Sequence, residues 1–140
     1  MKNTVAFLLA SFVLGAPSLG LAAPLDCPDA PAVFSEAGAG ADALQVIADK
    51  IGTAGHDDEE IEKNLSSIAY ELRKEYPKAR DAEVADMLIA AYCSWLAKAI
   101  PGGDEQSEQE VLAFEQRVYQ VVFQGPPPPE YERQGWLYGN

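Results

Sequence analysis

Apolar residues recur every three or four positions in the middle of the chain, which is the spacing of one helix face. Between residues 41 and 51 this repeat predicts a short amphipathic helix, and Gly52 ends it. A second repeat holds one apolar face from residue 61 to residue 76, where Pro77 stops it because proline cannot continue a helix. These stretches predict the first two helices.

Two further apolar stretches follow. Residues 84–97 are apolar on nearly every side, which is typical of a helix at the centre of a bundle. Their apolar run is shorter than the roughly 20 residues that a membrane-spanning helix needs. Residues 111–123 carry one broad apolar face and predict a fourth helix. Because valine and aromatic residues are enriched in residues 118–123, a strand is an alternative for its end.

Polar residues before the last three stretches predict where these helices begin. Asp57 and Glu60 match a capping box, in which two side chains three positions apart accept hydrogen bonds from backbone N–H groups. Asp81 is the predicted cap of the third helix. Ser107 and Glu110 form a second capping box ahead of the fourth.

The predicted fold class is all-α, a small four-helix bundle-like domain within residues 23–124. Residues 24–41 contain prolines and glycines without helical or alternating period, so we expect an irregular N-terminal arm. Residues 125–140 are rich in proline and aromatic residues and are expected to form a C-terminal tail.

The beginning of the chain has the composition of a secretion signal. Lys2 is followed by an almost unbroken apolar run over residues 5–14, and Gly20 and Ala22 are small residues suited to a cleavage site. We therefore expect a signal peptide over residues 1–22 and a periplasmic or secreted mature protein. An uncleaved anchor is the less favoured alternative, because glycines and a proline interrupt the apolar run.

The only cysteines are Cys27 and Cys93, both after the predicted cleavage site. An even number of cysteines in an exported protein predicts a disulfide, which would tie the arm to the third helix. A loop of this length is worth about 4 kcal/mol in the chain-entropy estimate. A catalytic thiol pair is not favoured, because the two cysteines are far apart in sequence.

Acidic residues outnumber basic residues by 22 to 10, and the formal net charge is −12. Nucleic-acid binding requires clustered basic residues, so this partner class is not expected. The acidity favours solubility, with attraction to a cationic partner or a metal ion as the alternative. His56 precedes four contiguous acidic residues, 57–60, but contiguous carboxylates at a helix start indicate capping more than metal binding.

The sequence contains no catalytic or cofactor motif, and we expect neither an enzyme nor a cofactor. With a single histidine and both cysteines in a disulfide, the chain has little material for nucleophilic catalysis. Aromatic residues at helical positions are interpreted as core, although a ligand cavity between the helices is an open alternative.

Candidate partner-binding residues lie in the tail. The prolines at positions 126–129 favour an extended spacer, which carries Tyr131, Trp136, Leu137 and Tyr138 beyond it. This apolar cluster either folds back over the helices or is offered to a partner.

These observations predict an exported, small acidic helical protein that binds a macromolecule as an accessory, inhibitor, immunity or chaperone-like factor. The expected partner is another exported protein, with no stable membrane insertion after signal cleavage. The alternative is a small-ligand or cation-binding protein. An acid-responsive role is a third hypothesis, because protonation of the many carboxylates would remove most of the negative charge.

Overall fold

A computed structural model describes residue 25, residues 27–35, 40–53, 57–100 and 105–126, and residue 128. The described residues contain no strand. Their five helices are α1 (Ala32–Ser35), α2 (Gly40–Gly52), α3 (Asp58–Glu75), α4 (Asp81–Ala99) and α5 (Glu105–Phe123).

The prediction of an all-α domain with four main helices is confirmed, since the four apolar stretches correspond to α2, α3, α4 and α5. The strand alternative for residues 118–123 is wrong, because α5 is helical to Phe123. No described helix is long and apolar enough to cross a membrane. The predicted signal peptide, residues 1–22, lies outside the described residues.

The N-terminal arm contains a helical turn, α1, that the sequence pattern did not predict. The Phe34 N–H donates to the Pro31 carbonyl at 3.0 Å, and the Phe34 side chain is fully buried. Its ring packs edge-on against Tyr76, with ring centroids 4.9 Å apart. A single turn is too short to be stable by itself. The burial of Phe34 therefore supplies the stability that local sequence does not.

Asp57 caps α3 as predicted, because its carboxylate accepts a hydrogen bond from the Glu59 N–H at 3.1 Å, but the predicted return bond to the Glu60 side chain does not complete a capping box. The prediction that Asp81 caps the third helix is wrong. Arg80 occupies the cap position of α4, and its backbone N–H donates to the Glu83 carboxylate at 2.8 Å. This hydrogen bond lowers the pKa of Glu83, because it stabilises the charged carboxylate.

The predicted second capping box is also wrong. Helix α5 begins at Glu105, so Ser107 lies within the first turn instead of preceding it. Ser107 is buried, at 1% exposed. The helix start was placed too late because Ser107 and Glu110 have the spacing of a capping box but lie inside a helix that already begins at Glu105.

Helix α4 lies at the centre of the fold, as its all-round apolarity predicted. It packs against α2 and α5, with a smaller contact to α3. The fully or almost fully buried side chains of α4 are Val84, Ala85, Met87, Leu88, Ile89, Ala90, Ala91, Cys93 and Leu96. The domain is therefore built around one helix that is covered on several sides.

Cys27 and Cys93 form the predicted disulfide. Cys93 is fully buried within α4, so the bond connects the N-terminal arm directly to the central helix. Phe34 is a second attachment point for the same arm. The arm is thus part of the folded domain.

The close approach of α2 and α4 at Gly52 leads to a stability prediction. A Cβ atom at Gly52 would lie 2.0 Å from Nε1 of Trp95. A helical Gly→Ala change normally stabilises by about 0.5–1 kcal/mol, whereas overpacking costs about 1–3 kcal/mol. We expect Gly52→Ala to lower the free energy of unfolding in urea, and to lose this penalty in a Trp95→Ala background. A stabilised Gly52→Ala chain with Trp95 intact would contradict the contact.

Candidate functional site

An apolar groove lies between α2 and α3 and encloses about 230 Å³. The residues of each helix that line it follow i, i+3, i+4 spacing, so each helix contributes one stripe of its surface. From α2 these residues are Ala43, Val46, Ile47 and Lys50, and from α3 and its cap they are Ile68, Glu71, Leu72, Glu75 and Tyr76.

The packing of α2 explains why a groove exists here. Helix α2 makes its main contact with α4 and only a limited contact with α3. Apolar side chains on the facing stripes of α2 and α3 therefore do not interdigitate along their whole length. The result is an open surface whose floor includes the buried side chains of Ile47, Leu72 and Tyr76.

Val46 is the most accessible apolar residue of the groove, with 54% of its surface exposed. Single exposed apolar residues are ordinary on protein surfaces. Val46 differs because it borders an apolar concave surface, so a ligand that covers it also contacts the groove floor. Tyr70 on α3 is 67% exposed and does not line the groove, which makes it a suitable comparison residue.

Charged side chains surround the apolar floor. Nζ of Lys50 lies 2.6 Å from Oε2 of Glu71, which connects the two helices across the groove. Both side chains are about half exposed, and ion pairs of this kind contribute at most about 1 kcal/mol. Glu75 lies on the same rim and has no ion-pair partner among the described residues. The rim is therefore net negative, and breaking its one ion pair costs little.

Tyr76 forms the buried end of the groove. Burial raises the pKa of its phenol, and the negative charge of Glu75 raises it further. A tyrosine phenol is uncharged at neutral pH even at its ordinary pKa of about 10, and these effects keep it so. Its contact with Phe34 links this end of the groove to the N-terminal arm.

The size of the groove distinguishes between ligand classes. Pockets for drug-sized ligands and cofactors typically measure about 300–1,000 Å³, and this groove is smaller and open. A second cavity, between α2, α3 and α5, holds about 10 Å³, which is about the space of one water molecule. The groove is therefore better suited to one or two side chains of a peptide segment than to a cofactor.

Two of the four acidic residues at the start of α3 make structural interactions. Asp57 caps the helix, and Oδ1 of Asp58 lies 2.5 Å from Nη2 of Arg117 in α5. The described residues include no group of three or more His, Cys, Asp or Glu side chains that could hold a metal ion. His56 lies outside the described residues.

Glu115 in α5 is a buried carboxylate, at 2% exposed. The Tyr119 hydroxyl, one helical turn away, donates a hydrogen bond to its Oε1. Buried polar groups are normally satisfied in this way. We therefore interpret the hydrogen bond between Tyr119 and Glu115 as a structural interaction within α5.

None of the predicted site residues within the described part of the chain lines the groove, although a cavity between the helices was an open alternative. Cys27 and Cys93 are confirmed as a disulfide. Tyr131, Trp136, Leu137 and Tyr138, the candidate partner-binding residues, lie outside the described residues. The residue that could have indicated the groove from the sequence is Val46. It is apolar, but it lies beside the predicted apolar face of α2 and not within it.

The chain matches no protein-family model, no curated protein and no solved structure. Its function is therefore argued from the groove and the charge of the molecule.

Proposed function

We propose that this protein is an exported protein-binding factor, and that the groove between α2 and α3 receives an apolar segment of another exported protein. The observation that carries the proposal is an open apolar groove with an exposed valine on its edge and a negative rim. Accessory, inhibitor, immunity and chaperone-like roles all use such binding without catalysis by the factor itself.

The charges of the rim and of the whole chain define the expected partner. Glu71 and Glu75 border the apolar floor, and the formal net charge is −12. Charge complementarity favours a segment in which apolar side chains stand next to lysine or arginine, and it accelerates association. Such a segment would bury its apolar side chains against Ile47 and Leu72 while its cations meet the rim carboxylates.

Export is supported by two independent features. Residues 1–22 have signal-peptide composition. The disulfide between Cys27 and Cys93 is of a kind that persists in oxidising compartments. We therefore place the protein in the periplasm or outside the cell, and place its partner there with it.

Val46→Lys is expected to weaken partner binding by at least about tenfold, because it puts a cation where the partner's apolar and basic groups dock. Tyr70→Lys changes the net charge equally outside the groove and is the matched control. Affinity capture of the mature chain from its native exported fraction, with quantitative mass spectrometry, compares the two variants. If both lose the same partners, or neither does, the groove is not the binding site.

A further inference from the structure

The walls of the groove are helices whose main chain is already hydrogen-bonded. The lining residues of α2, from Ala43 to Lys50, lie between the ends of that helix. Those of α3 extend to its C-cap residue Tyr76, whose N–H donates to the Leu72 carbonyl at 2.8 Å. Backbone groups inside a helix are bonded to one another. A ligand in the groove therefore meets side chains along its length, and no row of free backbone N–H groups.

This arrangement favours a helical occupant. An extended peptide is recognised mainly through main-chain hydrogen bonds to the edge of a sheet, and the described residues contain no strand. An amphipathic helix bonds its own main chain and lays an apolar face into a groove. A partner that binds as a helix therefore leaves none of its peptide groups unpaired beside the apolar floor.

The α3 wall of the groove has a spacing that a partner helix can match. Ile68 and Leu72 are about 6 Å apart along the helix axis, and Glu75 lies about 4.5 Å beyond Leu72, at a rise of 1.5 Å per residue. A helix laid along this wall presents side chains at the same intervals when they are three or four residues apart. Two apolar residues one turn apart can therefore cover Ile68 and Leu72 while a residue one turn further on faces Glu75.

Glu75 defines the charge that this third residue should carry. Glu71 is paired with Lys50 at 2.6 Å, so these two rim charges offset one another. Glu75 is exposed and has no ion-pair partner among the described residues. Its neighbour Lys74 is also exposed, but at about 100° per residue it leaves α3 on a different face from the groove stripe. A cation of the partner would therefore meet an unpaired carboxylate at this end of the groove.

We infer that the partner segment is an amphipathic helix with two apolar residues one turn apart and a lysine or arginine one turn further on, and that Glu75 determines the choice of this cation. The inference rests on the proposed function, because it specifies what the groove binds. A second copy of this chain does not fit the description. Its formal net charge of −12 would bring two negative rims together.

The test is a selection of peptides on the mature full-length chain. Two phage-displayed libraries of peptides of about 14 residues, or roughly four helical turns, are compared, one on a helix-forming background and one linear. Peptides that also bind the Val46→Lys chain are discarded, and Tyr70→Lys is the control that should retain them. We expect the remaining peptides to come from the helical library, with apolar residues at i and i+4 and a cation one turn before or after them.

The outcomes separate this inference from the proposed function. Val46-dependent peptides with alternating apolar residues, or without a cation at that place, would overturn the inference and leave the groove as a binding site. If no peptide distinguishes the parent chain from Val46→Lys, the proposed function is contradicted and the inference with it.

The role of Glu75 is measured with a selected peptide and with its variant that has glutamine in place of the cation. Glu75→Gln is expected to weaken binding of the cationic peptide about two- to fivefold, as for an exposed ion pair, and to leave binding of the neutral peptide unchanged. Glu62→Gln removes the same charge from an exposed position of α3 outside the groove and is the matched control. Equal losses from Glu75→Gln and Glu62→Gln, or an equal loss with the neutral peptide, would overturn the role of Glu75.

Discussion

Replacement of Phe34 by alanine is expected to lower the free energy of unfolding by about 3–5 kcal/mol, as for other fully buried phenylalanines. Phe34 is completely buried and joins the core through its contact with Tyr76. Its removal takes away the main apolar anchor of α1. The change is measured by urea unfolding followed by circular dichroism.

Val33→Ala is the control for this prediction. Val33 is adjacent in the same turn but only half-buried, so we expect it to cost clearly less than Phe34→Ala. Equal and small losses from both variants would mean that α1 does not contribute to the stability of the core. Equal and large losses would mean that the arm tolerates no change at all, and that Phe34 has no special role.

Removal of the disulfide through Cys27→Ala and Cys93→Ala together is expected to lower the free energy of unfolding by about 4 kcal/mol. The bond closes a long loop, with a sequence separation of 66, and it ties the arm to the central helix. Replacing both cysteines avoids leaving an unpaired thiol in the core. Urea unfolding of the parent chain with and without reductant provides the second comparison.

The two changes should not be additive. Both Phe34 and Cys27 attach the same arm to the domain, so a chain that lacks the disulfide has already lost part of what Phe34 contributes. We expect Phe34→Ala to cost less in the disulfide-free background than in the parent. Full additivity would indicate that the arm is held by two independent contacts, contrary to its description as one attached segment.

The central helix and the disulfide could be predicted because each follows from the residue types in the sequence, without knowledge of how the helices pack. The apolarity of residues 84–97 on nearly every side requires burial wherever the helix is placed. The two cysteines have only each other as partners within the chain. Neither conclusion depends on the relative orientation of the helices.

The features that were missed depend on which of several possible partners a residue contacts in the folded chain. Helix α1 is a single turn that is stabilised by the burial of Phe34, and no local pattern indicates that contact. The cap of α4 was assigned to Asp81, whereas the Glu83 side chain bonds to the backbone of Arg80 and Asp81 pairs with Arg73. Sequence spacing alone does not distinguish these partners.

The position of the groove could not be predicted, for a related reason. Its existence follows from α2 packing on α4 more extensively than on α3. Hydrophobic periodicity shows which face of a helix is buried, but not which neighbour it contacts or how wide a gap is left. An apolar residue beside the predicted face, such as Val46, is the only trace of this surface in the sequence.

The most direct test of the groove as a protein-binding site is photo-crosslinking in the native exported fraction, with the photoreactive residue at position 46 or, as the control, at position 70. A chain ending at Pro126 is used, so that residues 127–140 cannot react. We expect position 46, and not position 70, to join to one partner peptide in which apolar side chains adjoin lysine or arginine. Equal products from both positions, or peptides from position 46 without that composition, would contradict the proposed function.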